Sequence, residues 1–302
     1  MNNKIVDDIQ ALKQKHNAIL LSHYYQRPEI QDVADFVGDS LDLSRKAKNT
    51  DNDVIVCCGV WFMAETAKIL SPDKTVLIPE PNAGCPMADM VTPEDIQRLR
   101  REYPNAAVVC YVNSSAEIKA HSDICCTSSN AVKIVTSLKE NQIIFVPDQN
   151  LGHYVSTQVP NKKIVLHSGF CPTHHRMTPD DVLSARAAHP NALVLVHPEC
   201  PPSVISQADY VGSTAQIIDY VTKSDQTEYI VGTEGGILHH LSKMNPGKRF
   251  YLLGDSMVCP NMKKNSLEQV YLSLRDMQHP VDLSDEIISK AALCLDRMFS
   301  VL

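Results

Sequence analysis

One stretch of this chain is written twice. Reading from Cys85, the residues run Cys-Pro-Met-Ala-Asp-Met-Val-Thr-Pro-Glu-Asp-Ile. From Cys171, 86 residues on, they run Cys-Pro-Thr-His-His-Arg-Met-Thr-Pro-Asp-Asp-Val. The register persists: Tyr103-Pro104-Asn105-Ala106 falls on His189-Pro190-Asn191-Ala192, Ser122-Asp123 on Ala208-Asp209, and Thr127-Ser128 on Ser213-Thr214. A fainter third copy lies 88 residues before the first of these, where Tyr111 falls on His23, Asn113 on Tyr25, Asp123 on Asp35 and Ser128 on Ser40. Ungapped similarity at a fixed shift marks a repeated supersecondary unit. The chain therefore folds as one unit used three times. Its 302 residues also sit where a single core tends to split into domains.

Each copy has a legible coarse structure. Short, apolar, β-branched runs open the units: Ala-Ile-Leu-Leu (18–21), Ala-Val-Val-Cys (107–110) and Leu-Val-Leu-Val (193–196). Such runs are expected of buried parallel strands. Second strands are expected at 54–56, 143–146 and 229–231, and third strands at 75–78, 163–166 and 249–252. Helical stretches lie between them, such as 29–48 and 130–138. This alternation predicts an α/β fold of three homologous three-layer α/β/α domains with small parallel sheets, in pseudo-threefold array around a central active site. The expected domains are 1–89, with a helix from the C-terminus packing on it, 90–175, and 176–302 including the C-terminal helix.

Composition narrows the class. Hydrophobic residues are 44% and charged residues 21% of the chain, as in a globular protein. The net charge is −7, with no Lys/Arg run to follow a nucleic-acid backbone. The longest apolar run, residues 54–64, is too short to span a bilayer. The first eight residues, Met-Asn-Asn-Lys-Ile-Val-Asp-Asp, carry acid where a signal peptide carries base. A cytoplasmic protein binding neither nucleic acid nor membrane is expected, as monomer or homodimer.

Ten cysteines then need roles that suit a reducing compartment. Cys57, Cys58 and Cys110 lie in apolar strand-like runs, and Cys294 in an apolar helical one, so these are expected in the core. No Cys-x-x-Cys pair supports a zinc ribbon or a thioredoxin-like site. Cys85, Cys171 and Cys259 are different. Each is followed by proline and closes the loop after a third strand, the strands being led by Lys74, Lys163 and Lys248. Ligands gather at the carboxyl ends of parallel strands, so three equivalent loops bring three thiols to one point. Three thiolates can hold an iron–sulfur cluster with one iron left open to substrate. Cys200, also before a proline, sits outside this register.

Polar pairs follow the first strands of each unit: His23/Tyr25, Tyr111/Asn113 and His197/Glu199. Hydroxyls come about 15 residues later: Ser40, Ser128 and Thr214, with Ser213 beside the last. A hydroxyl opening a helix can equally be an N-cap, and Glu199 could be a surface acid. His174-His175 is expected in a polar loop, and Tyr24, Trp61 and Tyr154 in packing. The segments Asp148-Gln149-Asn150 and Glu234-Gly235-Gly236 face the ligand end with no role assigned.

Taken together, Ser-His-Tyr-Tyr-Gln (22–26), Gly-Asp-Ser-Leu (38–41), Gly-Cys-Pro-Met-Ala (84–88), Tyr-Val-Asn-Ser (111–114), Cys-Thr-Ser-Ser-Asn-Ala (126–131), His-Pro-Glu-Cys (197–200), Gly-Ser-Thr (212–214), Gly-Thr-Glu (232–234) and Cys-Pro-Asn-Met-Lys (259–263) resemble the quinolinate synthase family over residues 18–275. That resemblance implies a [4Fe–4S] cluster on Cys85, Cys171 and Cys259. It implies condensation of iminoaspartate with dihydroxyacetone phosphate to quinolinate, releasing phosphate and two waters, in NAD biosynthesis. It also implies a functional link to an L-aspartate oxidase or dehydrogenase that supplies iminoaspartate. Tyr25 and Glu199 become the expected proton handlers, with His23, Tyr111 and His197 beside them. Ser40, Asn113, Ser128, Ser213 and Thr214 are expected to bind substrate. A Cys-x-x-Cys spacing that some members carry near the third ligand is missing here. Two other classes remain open: a redox iron–sulfur protein, which would need a fourth cysteine in register, and a cluster-free α/β binding protein whose cysteines are all core.

Overall fold

A computed structural model describes residues 2–301. The first unit comprises α1 (Asn2–Lys15), β1 (Ala18–His23), α2 (Pro28–Val33), β2 (Phe36–Gly38), α3 (Ser40–Lys48), β3 (Val54–Cys58), α4 (Trp61–Leu70) and β4 (Thr75–Leu77). The second repeats that order: α5 (Pro93–Glu102), β5 (Ala107–Tyr111), α6 (Ala116–Ala120), β6 (Ile124–Cys126), α7 (Ala131–Ser137), β7 (Gln142–Val146), α8 (Gln149–Gln158) and β8 (Lys163–Leu166). After a short helix α9 (Pro172–His175), the third runs α10 (Pro179–Ala188), β9 (Leu193–Val196), α11 (Pro202–Ile205), β10 (Tyr210–Val211), α12 (Thr214–Lys223), β11 (Glu228–Gly232), α13 (Ile237–Met244) and β12 (Arg249–Leu252). Helices α14 (Leu267–Asp276) and α15 (Asp285–Val301) close the chain. No helix among the described residues is long and apolar enough to cross a membrane.

Each unit carries one parallel four-stranded sheet, with the same order three times: β2-β1-β3-β4, β6-β5-β7-β8 and β10-β9-β11-β12. The fold class is thus the expected α/β with three small parallel sheets. The sequence reading counted three strands per unit and ran one helix through 29–48. The structure corrects both points: β2, β6 and β10 are edge strands of only two or three residues, and β2 splits that stretch into α2 and α3. So short a strand has no period of its own to read.

The repeated aspartates explain the persistence of the register. Leu20, Val108 and Val194 each donate their amide to a carboxylate just before the edge strand, Asp35, Asp123 and Asp209, at 2.8, 2.7 and 2.7 Å. Each carboxylate also meets a base: Lys13, Arg100 and Arg186, at 2.7, 3.0 and 2.8 Å. A second repeated tie uses lysine. Lys74, Lys162 and Lys248 each reach back to two backbone carbonyls at the end of a helix, at Thr50 and Asn52, Leu138 and Glu140, and Val221 and Ser224. Lys162 belongs to this set, while Lys163, which leads β8 as expected, holds its ammonium over the Tyr103 ring.

Seven residues after each loop cysteine stands a helix cap. Thr92 and Thr178 form capping boxes with Asp95 and Asp181, and Ser266 caps α14 through the Gln269 amide. Capping satisfies amides that the first helical turn leaves free. By this register α14 corresponds to α5 and α10. Its Leu267, Val270 and Leu274 pack with Ile9, Leu20, Val54 and Val56 of the first unit. The last helix goes elsewhere: Ala291, Cys294, Leu295 and Met298 of α15 join the core of the second unit, with Cys294 Sγ 3.3 Å from Cys125 Sγ. The C-terminal segment so ties two units together.

Removing a buried side chain of α15 should loosen that tie. Leu295→Ala is expected to cost about 2–5 kcal/mol in urea unfolding, as large-to-small core changes do, whereas Leu293→Ala on the exposed face of the same helix should stay within roughly 0.5 kcal/mol of the parent.

Candidate active site

The carboxyl ends of all three sheets face one cavity of about 130 Å³. Its wall includes His23, Tyr25 and Ser40 from the first unit, Tyr111, Asn113 and Ser128 from the second, and His197, Glu199 and Thr214 from the third. Cys85, Cys171 and Cys259 line it too. Parallel strands bury both faces, so loops at one end are where a sheet can expose polar groups. Of the thirteen candidate residues, Ser213 alone is not in the wall. It is the N-cap of α12, its hydroxyl taking the Gln216 amide at 3.2 Å. Asp39 caps α3 in the same way, which leaves the next residues, Ser40 and Thr214, to face the cavity.

The Cys-Pro pairs have a local reason. Cys171 is the N-cap of α9 and Pro172 occupies the first helical position, where no amide is needed. The free amides that follow point at sulfur: Met87 and Ala88 at Cys85, His174 at Cys171, Asn261 and Met262 at Cys259. Such an arrangement stabilises a thiolate. Without a bound cation, burial pushes all three thiols upward, Cys85 to about 12. These three are also the only cysteines of the ten that are not fully buried. Cys57, Cys58, Cys110 and Cys294 are core, as expected, and so is Cys200, whose thiol faces the Gly232 carbonyl at 3.5 Å.

Two histidines are held in one orientation. The Tyr25 amide donates to His23 Nδ1 at 3.1 Å and the Glu199 amide to His197 Nδ1 at 3.2 Å, which leaves each Nε2 to carry the proton. His197 Nε2 lies 3.2 Å from Ser128 Oγ. Burial, then the neighbouring His197 and Lys263, lowers His23 to about 3; His197, with burial again the chief cause, falls to about 3. Both rings are neutral at ordinary pH.

Glu199 is 3% exposed, yet it stays charged. Burial alone would raise its carboxyl, but His197, His174 and the Tyr111 hydroxyl hold it below the ordinary carboxylate range. His174 Nδ1 stands 2.7 Å from Glu199 Oε2. From there a chain of hydrogen bonds runs on: His174 Nε2 to Thr233 Oγ1 at 2.9 Å, Thr233 Oγ1 to the Tyr25 hydroxyl at 2.5 Å, and that hydroxyl to Thr214 Oγ1 at 2.7 Å. Burial and the Glu199 charge push Tyr25 and Tyr111 well above the usual phenol range, so both remain protonated. Glu199 Oε1 and Asn113 Oδ1 are buried and without a partner among the described residues, leaving two acceptors for a ligand. Gly236 brings the third unit against Tyr25: a Cβ there would meet the Tyr25 backbone at 2.7 Å.

Several of these groups were not assigned from the sequence. His174, expected in a polar loop, is 2% exposed within α9 and contacts Glu199. Its signal was a departure from the repeat, since Ala88 and Met262 occupy the equivalent places. Asp148 and Glu234, two residues past the ends of β7 and β11, accept the amides of Cys171 and Cys259 at 3.1 Å each. Thr233 and Lys263, the latter paired with Glu234 at 2.9 Å, were missed as well. Tyr24 packs against His240, ring centroids 4.7 Å apart.

A family described as Quinolinate synthetase A protein matches residues 7–300. The chain belongs to the quinolinate synthase family. It is 53% identical over 297 residues to the quinolinate synthase of Alkaliphilus metalliredigens, covering 98% of both chains. Identity is 51% over 302 residues, all of both chains, to that of Caldicellulosiruptor bescii, and 55% over 295 residues, 98% of this chain and 97% of the relative, to that of Methanoregula boonei. The matched span includes every residue of the cavity wall named above.

The donor set fits a cluster better than a single ion. Cys171, His174 and Glu199 present a thiol, an imidazole and a carboxylate within 4.8 Å of one another, a set that one divalent ion could take. That choice leaves Cys85 and Cys259 on the wall without a role. Three thiols from three equivalent turns could hold an iron–sulfur cluster with one iron open, and no fourth cysteine faces the cavity to close it.

The buried rings make stability depend on pH. Between about pH 6.5 and about pH 3 the unfolded chain binds a proton at position 23 that the folded protein refuses, so this contribution is complete above that range and lost progressively as pH falls through it. His23→Asn should remove it while leaving all other titrating groups in place. The lead in thermal midpoint of the parent over His23→Asn is expected to narrow steadily from about pH 7.5 to about pH 5; a constant gap would show that His23 is not held neutral.

Proposed function

We propose that this chain makes quinolinate from iminoaspartate and dihydroxyacetone phosphate, with loss of phosphate and two waters, as a cytoplasmic step of NAD biosynthesis fed by an L-aspartate oxidase or dehydrogenase. The reading rests on one observation above the others: three equivalent Cys-Pro turns, one from each repeat, open on the same cavity as the Glu199–His174–Thr233–Tyr25 chain. Cys85, Cys171 and Cys259 would hold the [4Fe–4S] cluster. When bound, its open iron supplies a Lewis acid for the nitrogen and a carboxylate of the substrate.

The protein's own groups supply the rest. Condensation with two dehydrations needs protons removed from carbon and delivered to leaving oxygens. Glu199, ionised and with Oε1 free, is suited to accept a proton. Tyr25 and Tyr111, held protonated, are suited to donate one. A proton taken by Glu199 can pass through His174 and Thr233 to replace one given up by Tyr25. His23 and His197, neutral with Nε2–H turned inward, can donate to a carbonyl or phosphate oxygen without adding charge. Ser40, Ser128 and Thr214 present hydroxyls, and Asn113 an amide, for the carboxylates and phosphate. His23, Tyr25, Tyr111, His197 and Glu199 are buried, which strengthens their polar interactions.

Anaerobic assay of quinolinate from the two substrates tests the reading directly. Cys85→Ala, Cys171→Ala and Cys259→Ala should each lose bound iron, while Cys57→Ala and Cys110→Ala keep it and lose about 1 kcal/mol of stability. Full iron in any of the first three would remove that cysteine from the ligand set. Glu199→Gln and Tyr25→Phe should keep iron and quinolinate affinity within about tenfold, with single-turnover rates down by roughly 10²–10⁴. Ser128→Ala should weaken binding more than turnover, since a contact present throughout the reaction contributes to uniform binding.

A further inference from the structure

Two buried carboxylates stand directly behind two of the three thiols. Asp148 accepts the Cys171 amide on Oδ2 at 3.1 Å and the Leu151 amide, at the start of α8, on Oδ1 at 2.8 Å. Glu234 accepts the Cys259 amide on Oε1 at 3.1 Å and the Gly236 amide on Oε2 at 2.7 Å. Both residues are fully buried. They occupy the same place in the repeat, 86 residues apart and two past the end of β7 or β11. In the first unit that place belongs to Val60, two past the end of β3, which has no acceptor to offer Cys85. The backbone tie found there, from the Trp61 amide to the Ala83 carbonyl at 2.8 Å, recurs in the other units from Gln149 to Gly169 and from Gly235 to Met257, so the two carboxylates are an addition to it.

A buried carboxylate is costly unless donors surround it. In both units the donors include the cysteine's own amide and an amide from the turn that opens the next helix, and Glu234 also takes the Lys263 ammonium at 2.9 Å. Each carboxylate is therefore a two-pronged clip between the loop after the last strand and the loop after its neighbour. A loop clipped in this way keeps its thiol aimed at the cavity before anything binds there, which is how an outer group improves a ligand set.

We propose that Asp148 and Glu234 are positioning residues for the thiols of Cys171 and Cys259, holding two of the three ligands in place while Cys85 is held without a carboxylate. This inference rests on the reading that the three thiols bind an iron–sulfur cluster, and it concerns how that ligand set is kept ready.

Asp148→Ser separates the clip from the helix cap, because a serine can still cap α8 through Leu151 but is too short to reach the Cys171 amide. In iron-free protein, peptide-resolved alkylation by iodoacetamide should rise roughly tenfold at Cys171 and stay unchanged at Cys85 and Cys259. Glu234→Ala should raise Cys259 alone. Asp148→Asn, which keeps one acceptor and the shape, should fall between parent and Asp148→Ser. In reconstituted protein a chelator should strip iron from Asp148→Ser roughly 10-fold to 100-fold faster than from the parent. An equal rise at all three cysteines would mark general loosening and overturn the proposal, as would parental reactivity at Cys171 or parental iron release. If the parent takes up no iron–sulfur cluster, the proposed function fails, and the alkylation pattern still decides whether the clips position the thiols.

Discussion

A single buried charge organises this molecule's centre. Glu199 sits at the meeting point of three sheets, and its ionisation depends on partners from two of them: His174 and Tyr111 from the second unit's side, His197 from its own. Burial first, and the same charge second, raise Tyr25, Tyr111, Asp148 and Cys171. A carboxylate in so dry a place is tolerable only with its donors present. The three units must therefore be docked for the site to have its electrostatic character. No unit alone contains both Glu199 and the groups that hold it ionised.

The repeat supplies the scaffold for that docking at low local cost. Aspartates 35, 123 and 209 fasten each first strand to the turn before its edge strand, and Lys74, Lys162 and Lys248 fasten each last strand to a helix end. These ties are the same in all three units because they serve the same backbone geometry. Function is built from the places where the copies differ. After the first strands stand His23 and Tyr25, Tyr111 and Asn113, His197 and Glu199. Among the Cys-Pro turns only the second carries an imidazole, at His174. Symmetry places the thiols, and asymmetry places the imidazoles, the phenols and the carboxylate.

The C-terminal segment makes the assembly mutual. Helix α14 follows the third cysteine as α5 and α10 follow the first two, and it returns to cover the first sheet. Helix α15 then fills the second core through Leu295, Met298 and Cys294. Three units that share their outer layers in this way cannot separate without exposing apolar surface, which favours a closed and steady cavity.

Much was legible in the sequence because the repeat is a chemical pattern as well as a structural one. The period at 86 and 88 residues, the apolar strand runs and the Cys-Pro turns determined the fold class, the three thiols and the polar positions beside them. The edge strands escaped because two or three residues carry no periodicity. Ser213 and Thr214 could not be told apart because either hydroxyl suits a helix start, and only the backbone path shows which one caps and which faces inward. Likewise Asp148 and Glu234 gain their roles from partners 23 and 25 residues away in their own units, and His174 and Thr233 from partners across unit boundaries. Local sequence can state that a group is polar and where it lies on its own strand or helix. Which charge it meets, and whether water reaches it, is set by the packing of one sheet's loops against another's.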